Sequence, residues 1–244
     1  MRPEVYREMA AVQATHWWFA ARRRILASLI ERLDLGPGAQ LLEIGCGTGG
    51  NLAMLARFGA LSAMEYDPLA REIAQSQQVC TVQLGGLPEP VPFDDRRFDL
   101  ICLLDVLEHI ADDGAALGRI RRLLKPGGRL LLTAPAYRWL WSAHDSAHHH
   151  HRRYTAGALR ALAGKAGLRV QRIGYCNTLL FPLIALARLA QAALRRPGGS
   201  DAALPPPLLN RLLETVFASE RHVLPRWLFP FGVSVIAVLQ AAAE

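Results

Sequence analysis

The chain has 244 residues, enough to bury one sizeable hydrophobic core without disulfides or metals. Lys and Arg number 28 against 21 Asp and Glu. The net charge of +7 favours an anionic partner or surface, although a genomic base bias towards arginine explains it equally well. The four cysteines form no C-x-x-C pair, which argues against a zinc site and a disulfide framework. The first residues lack the order of a signal peptide, so we expect a cytoplasmic protein.

Apolar periodicity predicts an alternation of helices and strands along the chain. Residues 5–33 have helical spacing, and the Leu35-Gly36-Pro37-Gly38 segment ends that helix. Strands are predicted at 40–44, 61–65, 79–83, 98–104, 129–134, 168–174 and 232–239. Helices are predicted at 51–58, 68–77, 113–124, 155–166 and 208–218. Such alternation predicts an α/β fold with a parallel sheet covered on both faces.

A long apolar segment interrupts this alternation near the carboxyl end of the chain. Residues 179–194 are almost wholly apolar, but these 16 residues include Pro182 and Arg188. A membrane-spanning helix needs about 20 apolar residues, so we predict that this segment does not span a membrane. Three interpretations of this segment stay open. It could be a helix at the membrane surface, a cover over an apolar acceptor, or a buried core helix. A linker is predicted at 196–207.

A glycine-rich turn follows the first predicted strand. Its glycines at 45, 47, 49 and 50 let the backbone approach a ligand, and the next helix offers unpaired N–H groups. The spacing is G-x-G-x-G, whereas dinucleotide sites use G-x-G-x-x-G. Glu43 before the turn and Glu65 after the next strand would repel a pyrophosphate. The turn therefore favours a cationic ligand that contains a ribose. Glu65 would accept hydrogen bonds from the ribose hydroxyls.

Four motifs cover residues 41–135 in order: LLEIGCGTGG, AMEYDP, FDLICLLDVLEHI and LLKPGGRLLLTAP. They resemble the successive motifs of class I S-adenosylmethionine-dependent methyltransferases. An H-W-W-F-x-x-R-R helix and an H-D…H-x-R-R-Y loop are similar to bacterial members of this size. The resemblance implies S-adenosylmethionine as the cofactor, held by Arg24, Glu43, Gly45, Cys46, Gly47, Gly49, Glu65, Tyr66, Gly86, Leu87 and Leu104. Arg24 would pair with its carboxylate, and Tyr66, Gly86 and Leu87 would flank its adenine.

The same resemblance implies a Rossmann-like seven-stranded fold whose last strand is antiparallel. Residues 1–38 would form a helical lid, and 39–174 would form the cofactor-binding α/β core. Residues 175–231 would be an apolar helical insertion that serves as an acceptor pocket or faces a membrane. Residues 232–244 would complete the core as its final strand.

Candidate catalytic residues lie in the segment 141–154, after the fifth strand, where open α/β sheets bind their ligands. A histidine paired with Asp145 is a candidate general base, and His144 and His150 are the two candidates. Arg152 and Arg153, together with Tyr154, would bind an anionic group of the acceptor. In the alternative interpretation, Asp145 and the histidines only fix the loop.

Asp105, Glu108 and His109 resemble an acidic-x-x-Glu-His set that is linked to a divalent cation in ubiquinone-biosynthesis O-methyltransferases. Oxygen and imidazole ligands suit such an ion. The same Glu-His pair occurs in this superfamily without a metal, so we predict no metal and favour a hydrogen-bonded structural role.

We therefore predict methyl transfer to an oxygen of a small or lipid-linked anionic acceptor, with contact to the inner face of the membrane left open. The D-V-L-E sequence after the fourth strand lacks the motif of methyltransferases that act on base nitrogens, and no basic stripe with stacking aromatic residues is present. A specific nucleic-acid partner is not expected. The main alternative is a non-catalytic S-adenosylmethionine-binding regulatory or scaffold protein. An RNA methyltransferase or an NAD-dependent oxidoreductase ranks below it.

Overall fold

The computed structural model describes residues 3–93, 97–193 and 203–241. Within these residues one sheet contains the strands β1 Gln40–Ile44, β2 Ala60–Glu65, β3 Val82–Leu84, β4 Phe98–Leu104, β5 Leu124–Pro135, β6 Leu168–Cys176 and β7 Ser234–Ala241. Their order across the sheet is β3-β2-β1-β4-β5-β7-β6. β7 is antiparallel to both neighbours, and the other pairs are parallel. The predicted Rossmann-like class I methyltransferase fold is confirmed.

Two helices precede the first strand and the others connect the strands: α1 Pro3–Val12, α2 Trp17–Ile30, α3 Leu52–Leu55, α4 Pro68–Ser76, α5 Asp113–Leu123, α6 Ala143–Ala147, α7 Ala156–Lys165, α8 Phe181–Ala193 and α9 Pro207–Ser219. Side-chain caps define several of their starts, as expected for helix termini with unpaired N–H groups. The Asp67 carboxylate accepts from Leu69 N and Ala70 N at the start of α4. Thr155 Oγ1 accepts from Ala158 N at the start of α7.

The prediction of one N-terminal helix over 5–33 is wrong, because residues 13–16 separate α1 from α2. His16 Nδ1 accepts a hydrogen bond from Trp18 N and caps α2. Asn210 Oδ1, from α9, accepts from Trp17 N at 2.9 Å. Because this first turn of α2 is already bonded, the chain cannot continue as one helix from α1.

Two hydrophobic clusters lie on opposite faces of the sheet. On β4, Ile101 and Leu103 point towards α5 and α7, whereas Leu100 and Cys102 point towards α2 and α9. This alternation is the pattern of a strand buried on both faces. α2 therefore forms part of a core layer.

Helices α8 and α9 connect β6 to β7. No helix in the described part of the chain is long and apolar enough to cross a membrane. The Glu220 carboxylate is 1% exposed and accepts from the N–H groups of Asn177, Thr178 and Leu179. This carboxylate therefore ties the end of α9 to the loop after β6. Most of the predicted linker at 196–207 lies outside the described residues.

Candidate functional site

The glycine turn joins β1 to α3 at the carboxyl edge of the sheet. Gly45, Gly47 and Gly49 have φ values of 68°, 57° and 88°, which favour glycine. Glu43 is 1% exposed, and its Oε1 accepts from Asn51 Nδ2 at 2.8 Å. Its Oε2 is buried and has no hydrogen-bond partner among the described residues. The turn thus holds a buried carboxylate with one oxygen left to accept a hydrogen bond.

Burial raises the pKa of Glu43 to about 7. The hydrogen bond from Asn51 and the charge of Arg22 oppose this rise, and the charge of Glu65 adds to it. A cationic group placed beside the free Oε2 would therefore stabilise the ionised form.

Glu65 ends β2 directly opposite the turn. Its Oε2 accepts from Gly47 N at 2.8 Å, and its Oε1 accepts from Asp67 N at 2.9 Å. Burial raises its pKa, and these backbone hydrogen bonds oppose the shift. A carboxylate has about four acceptor positions, so Glu65 can still accept from ribose hydroxyls.

Helix α1 packs onto the turn. Thr48 Oγ1 donates to Gln13 Oε1 at 2.7 Å, and Gln13 Nε2 donates back to Thr48 O at 3.3 Å. Tyr6 is buried, and its pKa is raised by burial and by the charges of Glu65 and Asp67. Gln77, the residue that caps the end of α4, donates to Thr48 O at 2.6 Å. Gln13, Thr48 and Gln77 lie in different parts of the chain and share no sequence motif, so these contacts could not be predicted from the sequence.

The arginine that reaches the site is Arg22, not Arg24. Arg24 is about half exposed and pairs with Glu214 of α9 at 2.8 Å, away from the turn. Arg22 is 8% exposed and pairs with Asp105, the first residue after β4. Its guanidinium lies 4.7 Å from the Trp18 ring. In this structure the Arg24 side chain is engaged by Glu214, and its assignment to the cofactor carboxylate stays a prediction.

The residues predicted to flank adenine lie at the far side of the turn. Tyr66 is 73% exposed, and its Cδ2 is 3.0 Å from where a Cβ on Gly86 would lie. Gly86 N donates to Pro90 O, so this N–H is engaged within its own loop. Leu87 packs against the core, and Cys46 and Leu104 are buried. An exposed tyrosine ring beside a glycine leaves an open surface on which a planar base could stack.

Asp145 is the centre of a buried network after β5. It is fully buried, and it bonds His150 Nδ1 at 2.9 Å and Arg153 Nε at 2.8 Å. Arg153 Nη2 and Ser142 N donate to its second oxygen. Burial raises its pKa, but these hydrogen bonds and the charge of Arg153 bring it well below its ordinary value. The predicted pairing of Asp145 with a histidine is therefore present; the side chain of His144 lies outside the described part.

The three residues assigned to acceptor binding are engaged inside the protein. Arg152 donates to Asp113 Oδ2 and to Ala111 O, both at 2.7 Å. Tyr154 is buried, and its hydroxyl donates to Asp113 at 2.8 Å. Arg153 is held by Asp145. In this structure Arg152 and Tyr154 fix the loop to the start of α5, and Arg153 is also bonded to Ala136 O. Their assignment as an anion-binding set stays a prediction.

Glu108, His109 and His150 come together beside the end of β4. Each offers a candidate ligand atom, and these atoms lie within 4.8 Å of one another. Asp105, which the motif grouped with Glu108 and His109, is instead paired with Arg22. Burial and the charge of Asp105 raise the pKa of Glu108 well above its ordinary value. The cluster therefore combines a buried carboxyl group with two imidazoles.

Comparison with known proteins agrees with this geometry. A family model described as a methyltransferase domain matches residues 18–173. The chain is 34% identical over 116 residues to a ubiquinone biosynthesis O-methyltransferase of Xanthomonas oryzae, an alignment that covers 42% of this chain and 45% of the relative. The matched part of this chain thus spans less than half the length of that curated relative.

Two solved structures share the fold over most of the chain. The methyltransferase in a complex with the Haloferax volcanii Trm112 methyltransferase activator has a TM-score of 0.62 and 18% identity, covering 98% of this chain and 94% of that one. The [4+2]-cyclase SpnF has a TM-score of 0.60 and 20% identity, covering 91% and 81%. The fold therefore does not by itself define the reaction.

The matched segment contains the glycine turn, Glu65 and the end of β4, which are the parts of the site described above. The chain belongs to the methyltransferase domain family and has the class I fold. S-adenosylmethionine is its cofactor, in agreement with the sequence prediction.

Proposed function

We propose that the protein transfers a methyl group from S-adenosylmethionine to an oxygen atom of a small or lipid-linked acceptor. The observation that carries the proposal is the glycine turn flanked by two buried carboxylates, one of which has an unpartnered oxygen. The cofactor, when bound, supplies an electrophilic methyl group on a sulfonium. The protein must then orient the acceptor and remove its proton.

The residues around the turn fit the polar ends of the cofactor. Glu43 would accept from the amino group, for which its free Oε2 is suited. Arg22, whose pairing with Asp105 places it beside the end of β4, would bind the carboxylate. Glu65 would accept from the ribose hydroxyls, and Tyr66 would stack on the adenine.

His150 is the proposed general base. Asp145 Oδ1 faces its Nδ1, so a proton on Nδ1 is held by the carboxylate and the other ring nitrogen becomes the basic atom. Arg153 in turn fixes the position of Asp145. The carboxylate of Asp145 can therefore orient the His150 imidazole, as a carboxylate does beside a catalytic histidine. Because Arg152 and Arg153 are engaged internally, the anionic group of the acceptor is proposed from the net charge of +7 alone.

The cofactor site is tested by calorimetric titration with S-adenosylhomocysteine. We expect micromolar binding to the wild type and none with NAD. An Arg22→Ala variant should bind at least about tenfold more weakly, since a charge-assisted hydrogen bond contributes about 1.5–3 kcal/mol. The matched Arg24→Ala variant should bind within about twofold of wild type. Equal losses in both variants, or binding of NAD in place of the homocysteine product, would contradict the assignment.

The base is tested by methyl transfer from S-adenosylmethionine labelled on its methyl group. The acceptor probes are phenols and carboxylic acids with and without apolar tails. We expect the label on oxygen, and a His150→Gln variant with kcat lowered about 100-fold or more at unchanged S-adenosylhomocysteine affinity. Activity should persist after dialysis against EDTA. Label on nitrogen, or full activity of the variant, would refute the proposed chemistry.

A further inference from the structure

The outer face of α8 differs from the usual surface of a water-soluble helix. Up to residue 191, its exposed residues are Pro182, Leu183, Leu186, Ala187, Leu189 and Ala190. The three leucines are 60%, 66% and 55% exposed. Surface helices normally place charged and polar residues on this side. An outer face built only from apolar residues indicates a contact surface.

Aromatic side chains continue this face to the carboxyl edge of the sheet. The Phe181 ring lies 6.0 Å from that of Trp139 and 5.5 Å from that of Phe231. Trp139 and Phe231 are 51% and 43% exposed. We define the α8 patch as Leu179, Leu183, Leu186, Leu189, Trp139 and Phe231. Among the described residues, every large exposed apolar side chain except Tyr66 and Leu84 lies between positions 139 and 231.

The segment that carries the patch is cationic. Residues 175–231 contain six arginines and three acidic residues. Glu214 pairs with Arg24, and Glu220 is buried against backbone N–H groups, so neither presents an unpaired carboxylate to solvent. Exposed arginines at 138, 211 and 226 directly adjoin the exposed side chains of residues 139, 212 and 227. Positive charge is therefore exposed next in sequence to apolar residues in this part of the chain.

We propose that the α8 patch docks the protein onto an anionic lipid bilayer. Its leucines would enter the boundary between headgroups and acyl chains, while the arginines contact lipid phosphates. Tryptophan is favoured at this depth because its ring is apolar and its N–H is polar. The contact would be peripheral, since the described helices are too short to cross the bilayer.

The position of the patch links docking to the candidate site. α8 begins five residues after β6 ends, and Trp139 follows β5, so the patch lies at the carboxyl edge of the sheet, where β1 also meets the glycine turn. A lipid-linked acceptor held in the bilayer would therefore be presented to this edge. This link rests on the proposed function, whereas docking itself does not.

Sedimentation with vesicles of phosphatidylcholine alone, or with 30% phosphatidylglycerol, tests the proposal with the full chain. We expect binding to the anionic vesicles that weakens in high salt. A Leu183→Asp/Leu186→Asp variant should bind at least about tenfold less. The control is Leu84→Asp, because Leu84 is 54% exposed and lies on the opposite edge strand, β3. The control should bind as the wild type does.

The S-adenosylhomocysteine affinity and solution mass of the double variant complete the test. Unchanged affinity shows that the variant is folded, so that its loss of vesicle binding supports docking. Equal vesicle binding by the double variant, or no wild-type binding to anionic vesicles, would overturn the proposal. So would a wild-type dimer that the double variant converts to a monomer without any change in vesicle binding. If the wild type binds vesicles but does not bind S-adenosylhomocysteine, only the proposed function is refuted.

Discussion

A Glu43→Gln variant is expected to be more stable than the wild type at pH 8 and to bind the cofactor product poorly. Burial raises the pKa of Glu43 to about 7, whereas its ordinary value is 4.5. At pH 8 the carboxylate is ionised in both the folded and the unfolded chain, and holding this charge in the buried site costs on the order of 3 kcal/mol. Glutamine keeps the oxygen that Asn51 bonds and removes the charge, so this cost disappears.

The sign of the pH dependence distinguishes this cause from a packing effect. A raised pKa means that stability is lost as pH rises from 4.5 towards 7, so the advantage of the variant should fall to about 1 kcal/mol at pH 5. Thermal unfolding at pH 5 and pH 8 measures it. In parallel, S-adenosylhomocysteine should bind the wild type about tenfold more weakly at pH 6 than at pH 8, since its ammonium needs the ionised carboxylate. A variant that is less stable at both pH values would contradict this account.

Such a variant would show that the protein loses stability in order to keep a charged group ready for its ligand. Buried polar atoms without partners are rare in folded proteins because each costs free energy. Glu43 Oε2 and Glu108 Oε2 are two of these atoms, and both lie near the carboxyl edge of the sheet. We infer that the protein tolerates this loss of stability because the two carboxyl groups serve ligand binding and chemistry at this edge.

The sheet could be predicted from the sequence because strands buried on both faces are continuous apolar runs. Residues 100–104 are such a run, and the strand predicted over 98–104 has the limits of β4. The break between α1 and α2 could not be predicted in this way. It depends on the hydrogen bond that Trp17 N, in the first turn of α2, donates to Asn210, a residue nearly 200 positions away.

The choice between Arg22 and Arg24 could have been made from periodicity. Arg22 falls on the same helix face as Ile25, Leu26 and Leu29, which are buried, whereas Arg24 lies outside that stripe. An arginine on an apolar face needs a buried partner, and Asp105 is that partner. The internal pairing of Arg152 and Arg153 could not be predicted for a different reason. Their acidic partners, Asp113 and Asp145, were not recognised, and no local pattern identifies such pairs.

The largest loss of stability is expected for Asp145→Asn. Asp145 is fully buried, and the side chain of Arg153 is only 7% exposed. Removing the carboxylate charge leaves a buried guanidinium without its counter-charge, which typically costs about 3–5 kcal/mol. For a domain of 150–250 residues, each kcal/mol lowers Tm by about 2–4 °C, so we expect a decrease of about 10 °C at pH 7.

The Asp113→Asn variant provides the control, because Asp113 at the start of α5 holds the same loop through Arg152. Asp113 also pairs with an arginine, but the Arg152 side chain is 35% exposed, so water can solvate the guanidinium and the loss should be about 1 kcal/mol. The pKa of Asp145 is well below its ordinary value, so its contribution is present above about pH 4 and is lost as pH falls further. The penalty of Asp145→Asn should therefore shrink at low pH. Equal decreases in Tm for the two variants would show that burial of the Asp145–Arg153 pair does not determine the stability of this loop.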